Sequence, residues 1–88
     1  MKVSKNLILR EIAGEYILVP VGKAALNIHG MINLSESAYL LWNKMQTDCT
    51  LDDLVCCLLK EYDIDENTAR NDVLAFIEQM RQVGIIEE

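Results

Sequence analysis

The feature that most constrains this chain is a change of period at Ser35. Upstream, apolar residues come in short runs rich in Ile, Leu and Val, punctuated by single glycines; downstream they recur at three- and four-residue spacing. In "GMINLSESAYLLW", Gly30 to Trp42, the two regimes meet without a loop. A strand must therefore run straight into a helix, which predicts an α+β chain with its sheet first and its helices after.

"NLILREIAGEYILVPVG" reads as a hairpin, with strands over Leu7 to Ile12 and Glu15 to Val21 and Ala13-Gly14 as a two-residue turn. Pro20 cannot donate to a ladder, so the second strand ends there or exposes that position. "GKAALNIHG" is then a loop, and Met31 to Leu34 a third, short strand. Ser35 is the N-cap of a first helix, with Leu34 and Tyr39 at the two ends of a hydrophobic staple and Ala38, Leu41, Trp42 and Met45 on one buried face. That helix should fray between Thr47 and Cys49. Thr50 and Asp53 form a capping box for a second helix that runs to about Glu61 along a stripe of Leu51, Leu54, Val55, Leu58 and Tyr62. Asp65 caps a third helix bearing Ala69, Val73, Phe76, Ile77 and Met80. It is supported by the Glu66–Arg70 pair and closed at Gly84, beyond which Ile85 can fold back. The expected fold is α+β and winged helix-turn-helix-like, a three-stranded antiparallel sheet followed by three helices, in one domain spanning residues 1–88.

Several function classes fall away. No apolar run approaches the ~18 residues that span a bilayer, and Lys5, Arg10, Glu11 and Glu15 interrupt what a signal peptide would need, so a cytoplasmic protein without membrane contact is expected. Cys49, Cys56 and Cys57 lack the spacing that places two thiolates on one metal ion and read as packing residues. His29 stands in a loop with no nucleophile near it in sequence, and Gly14, Gly22, Gly30 and Gly84 sit singly at turns rather than in a phosphate-binding loop. No cofactor, metal or catalytic residue is expected. The net charge is −6, and beyond Gly30 four bases face twelve acids. A recognition helix carrying Glu66, Asp72 and Glu78 against Arg70 and Arg81 does not approach duplex DNA cheaply, which argues against a winged-helix regulator and against any nucleic-acid partner.

An interaction surface remains. On a helical wheel Leu74 lies about 100° from Val73, outside the buried arc and between Arg70 and Arg81, next to Ile77 at the stripe's edge. The bland reading is a solvated face with one stray leucine.

The ordered set "LSESAYLLWNKM" and "TLDDLVCCLLKEYDIDENTARNDVLAFIEQMRQVGIIEE" resembles the PqqD family, small peptide chaperones named for pyrroloquinoline quinone biosynthesis. The resemblance is carried by Leu34 to Ala38 and Trp42, by the acidic turn Glu61 to Asp65, by Asp72 to Phe76 and by Gly84 to Ile86. Ser35 stands where the family more often has Asn, and both cap helices. The resemblance implies a non-catalytic RiPP recognition element that binds the leader of a ribosomally made precursor peptide and presents it to a modifying enzyme, often a radical S-adenosylmethionine protein. The leader would add to the third strand, Met31, Ile32, Asn33 and Leu34, and lie against the third helix at Arg70, Leu74, Ile77 and Arg81. That arrangement calls for a leader with two or three apolar anchors and an acidic residue for one of the arginines. The same free edge would also suit a homodimer or a plain adaptor module.

Overall fold

The Ala13-Gly14 turn takes positive φ at both residues, +53° and +82°, as a two-residue hairpin of this type requires. In the computed structural model, which describes residues 1–4, 6–22, 31–82 and 84–87, this turn joins β2 (Leu7–Ile12) to β3 (Glu15–Pro20). There follow β4 (Ile32–Leu34), α1 (Glu36–Lys44), α2 (Leu51–Glu61) and α3 (Glu66–Gln82), with β1 (Lys2–Val3) and β5 (Ile86–Glu87) at the two ends. The expected three-stranded antiparallel sheet is present in the order β2-β3-β4, followed by the three expected helices. Most of the loop expected between Gly22 and His29, His29 included, lies outside the described residues.

Register decides which face of the sheet is buried. Leu9, Leu18 and Ile32 stand opposite one another across the three strands, and Leu18 has no exposed surface. Its neighbours in sequence, Ile17 aligned with Arg10 and Asn33 and Val19 aligned with Ile8, belong to the other face. β3 stops at Pro20, one residue short of the expected Val21, because proline has no N–H to continue the ladder.

A second sheet was not expected: β1 pairs with β5, Val3 opposite Ile86. The Val3 N–H also donates to the Met45 carbonyl at 2.9 Å and the Ser4 N–H to the Ile85 carbonyl at 2.6 Å. Two-residue strands carry no readable period, so only the tertiary pairing reveals them.

The helix boundaries follow their capping residues. Ser35 Oγ accepts the Ala38 N–H at 3.2 Å, and Thr50 and Asp53 exchange bonds of 3.2 and 2.9 Å. Asp65 Oδ1 accepts the Thr68 N–H at 2.7 Å. Tyr39, expected to staple onto Leu34, stacks on Tyr16 at 3.9 Å between ring centroids and 5° between planes, and Tyr16 is the residue paired with Leu34. At the end of α3, Gly84 has φ +75°, and the Gly84 and Ile85 N–H groups donate to the carbonyls of Arg81 and Met80, which brings Ile85 fully into the core.

One apolar cluster is centred on Leu18, Leu41, Trp42, Met45, Leu54, Leu58, Val73, Met80 and Ile85. Cys49 belongs to it, Cys57 is half-buried and Cys56 exposed. Burial pushes the Cys49 and Cys57 thiols above their ordinary range, which disfavours the reactive thiolate. Among the described residues no three His, Cys, Asp or Glu side chains gather to hold a metal, and no helix is long and apolar enough to cross a membrane.

The caps also set an acid response. Hydrogen bonds from Thr50 hold the Asp53 carboxyl below its usual range, and bonds from Thr68 do the same for Asp65. A depressed carboxyl contributes stability that is fully present above the ordinary value near ~4 and is lost as pH falls through the folded value. Asp65→Asn keeps a capping oxygen that does not titrate. Urea unfolding at pH 7 and pH 3 should therefore show a smaller acid loss for this variant than for the parent, with similar stability at pH 7.

Candidate functional site

β4 has β3 on one side, and among the described residues no strand lies on the other. Its three residues divide by the period of two: Leu34 is buried at 8% exposure and Ile32 packs against the core, while Asn33 is exposed. Met31, just before the strand, is 65% exposed. In an antiparallel strand this short, about two to four backbone N–H and C=O groups point to the free side. Met31 to Leu34 include neither lysine nor proline to blunt that edge. Directly after Leu34, the Ser35 cap starts α1, so the edge is anchored at its C-terminal end by a helix whose Leu41 and Trp42 lie in the core.

The other half of the expected site lies elsewhere. Leu74 is 47% exposed and shares a depression of about 440 Å³ with Ile77 and Arg81, but its opposite wall is Met1 and Leu51. Arg70 reaches Asp52 on α2 at 3.3 Å and Glu66 at 3.4 Å, so its charge is already matched. Ile77 is a core residue, 6% exposed. The structure thus keeps Arg70, Leu74, Ile77 and Arg81 on one face, as the wheel required, but turns that face toward the N-terminal half of α2 and not toward β4.

What faces the β4–α1 junction is the opposite flank of α3. With Val73 at zero, Arg70, Leu74 and Arg81 lie about 60–100° one way round the helix, and Asp72 and Gln79 about 100–120° the other. Asp72, Ala75, Phe76 and Gln79 form one wall of a depression of about 250 Å³ whose other wall is Ser35, Ser37, Ala38 and Leu41. Past Ser35, Ser37 and Asp72 it continues into a second, of about 340 Å³, bounded by Glu36, Leu58, Tyr62 and Ile64. A third, also about 340 Å³, lies where Asn33, Leu34 and Glu36 meet the hairpin residues Gly14, Glu15 and Tyr16.

The third and second depressions share Glu36, and the second and first share Ser35, Ser37 and Asp72. The three so line up as a groove from the end of β4 along α1 and α3, the one bounded by Leu58, Tyr62 and Ile64 being mainly apolar. The groove's carboxylates are Glu15, Glu36 and Asp72, and among the described residues neither lysine nor arginine lines any of the three depressions. The Tyr62 hydroxyl is shut off from solvent and has no hydrogen-bond partner among the described residues. Burial first, then the Glu36 and Glu61 carboxylates, push this phenol above its ordinary value, so it stays protonated.

Ala75 and Gln79 were not singled out from the sequence, because a small residue and an amide beside an acid read as a solvated face. The one signal was their period: Asp72, Ala75 and Gln79 stand at i, i+3 and i+7 on a flank where nothing large blocks the approach.

The sequence profile for coenzyme PQQ synthesis protein D (PqqD) matches residues 15–86. Among curated proteins there is no significant match. Two solved structures share the fold. One is TbiB1 in complex with the TbiA(beta) leader peptide, with a TM-score of 0.78 at 18% identity over 99% of this chain and 95% of that one. The other is lasso peptide synthetase B1 complexed with the leader peptide, with a TM-score of 0.76 at 15% identity over 99% and 96%. From β3 to the first residue of β5, then, the profile follows the elements that build the free edge and the groove beside it, and the chain belongs to the PqqD family.

Proposed function

We propose that this protein binds the leader segment of a ribosomally made precursor peptide as a fourth strand on β4. The leader's side chains would lie in the groove between α1 and α3, and the protein would present the peptide to a modifying enzyme, such as a radical S-adenosylmethionine protein, without catalysing a reaction itself. The observation that carries this reading is the juxtaposition of an unblunted strand edge, anchored at its end by a helix, with a groove that starts where the strand ends and has a mainly apolar depression in it. Membership of the PqqD family and a fold shared with two leader-peptide complexes support it.

The magnitudes are adequate only when both parts contribute. About four backbone hydrogen bonds at a net ~1 kcal/mol each give ~4 kcal/mol before ordering costs, near millimolar. Apolar anchors that bury ~150 Å² add roughly 4 kcal/mol and reach the micromolar range. The binding residues are then Ile32, Asn33 and Leu34, with Met31 beside them, and Ala75, Phe76 and Gln79 across the groove.

The test uses dodecapeptides selected from a displayed random library on the immobilised protein. Titrating the isotope-labelled protein with a selected peptide should move the backbone amides of Ile32 to Leu34 and of Asp72 to Gln79, and duplex DNA should move neither group. Shifts confined to Leu51, Leu74 and Arg81, or a salt-sensitive response to DNA alone, would overturn the reading.

A further inference from the structure

The walls of the groove specify more than a peptide. The three depressions around the β4–α1 junction carry Glu15, Glu36 and Asp72 and, among the described residues, no base, in a chain whose net charge is −6. Carboxylates at neutral pH are hydrogen-bond acceptors only. Tyr62 lies on the same wall, but its hydroxyl is enclosed, so it offers the depression its ring and not its oxygen. Beneath these acceptors lie the half-buried Tyr62 ring and Ile64, over the core residue Leu58, apolar surface suited to an aliphatic stem. An acceptor-rich rim over an apolar floor fits one kind of side chain: a long alkyl stem that ends in a cation.

Resting on the peptide-binding reading above, we infer that the strand added to β4 carries a lysine or arginine that lays its stem along Tyr62 and Ile64 and its charge between Glu36 and Asp72. This reverses the charge expected from the sequence, where Arg70 and Arg81 called for an acidic leader residue. Those arginines stand on the other flank of α3, and Arg70 is already bridged to Asp52 and Glu66. Glu36 and Asp72 are exposed, so solvent screens them and the preference they impose is moderate.

A charge-swap experiment tests this. Dodecapeptides selected from the displayed library against the parent protein should share a lysine or arginine at a fixed distance from their apolar anchors. Replacing that residue by glutamate in a selected peptide should weaken binding by about tenfold. Asp72→Lys should invert the preference, binding the glutamate peptide better than the lysine peptide, and Asp72→Asn should reduce it to about two- or threefold. Both variants are surface changes on a helix, and their amide spectra report whether they remain folded. If a selected peptide moves the amides of Ile32 to Leu34 but exchanging lysine for glutamate alters affinity by less than twofold, or if Asp72→Lys fails to compensate, this inference is wrong and peptide binding at the edge stands. If neither peptide moves those amides, the edge reading falls and this inference with it.

Discussion

Ala75→Arg is expected to weaken peptide binding on the order of a hundredfold, whereas Leu74→Arg, one residue away on the same helix, should leave it unchanged. Both positions are exposed, and arginine is a good helix former, so neither variant should unfold α3. The difference is which flank is altered. At Ala75 a long side chain fills the space between α3 and the Ser37–Leu41 wall, and the peptide loses an anchor worth ~3 kcal/mol at ~25 cal/mol per Å². At Leu74 the new side chain enters the depression walled by Met1 and Leu51, on the far side of the core arc. Ala75→Met separates bulk from charge and should retain most of the effect. Isothermal titration with one selected peptide against the three variants decides the matter. A loss at Leu74 with no loss at Ala75 would move the peptide to the other face.

This pair of residues also marks where sequence reasoning stopped. Caps and turns are local, and Ser35, Thr50, Asp65, Ala13-Gly14 and Gly84 each act where their residue types place them. The buried stripes of the helices were legible for the same reason, since 3.6-residue spacing fixes which side chains share a face. The free edge could be read too, because a short strand that runs directly into a helix has few ways to gain a second neighbour.

Periodicity does not say which neighbour a face will meet. On α3 the buried arc around Val73 has two flanks, one with Leu74 and two arginines, the other with Asp72, Ala75 and Gln79. The choice between them is set by how α3 crosses α1 and α2, a tertiary property absent from any local window. Conspicuous chemistry drew attention to the first flank, and packing gave the groove to the second. The β1–β5 pairing escaped notice for a related reason, as its two strands lie at opposite ends of the sequence and are too short to show alternation.

The largest effect on stability is expected at Trp42. It is 3% exposed in α1, in the cluster with Leu41, Met45, Leu54 and Leu58, and Trp42→Ala should remove about 3–5 kcal/mol. A domain of this size has only some 4–13 kcal/mol in all, so the urea midpoint should fall by roughly a quarter or more. The loss has a functional edge because α1 is the element into which β4 runs. If α1 is what holds the strand still, hydrogen exchange at those amides of Ile32 to Leu34 that the β3 ladder protects should accelerate with global unfolding, by about two to four orders of magnitude in the alanine variant. Trp42→Phe, which keeps most of the buried area, should restore protection and peptide affinity together. Were β4 protection to survive Trp42→Ala while the core loosened, the strand would be held by β3 alone, and the direct passage from strand to helix at Ser35 would have no part in presenting the edge.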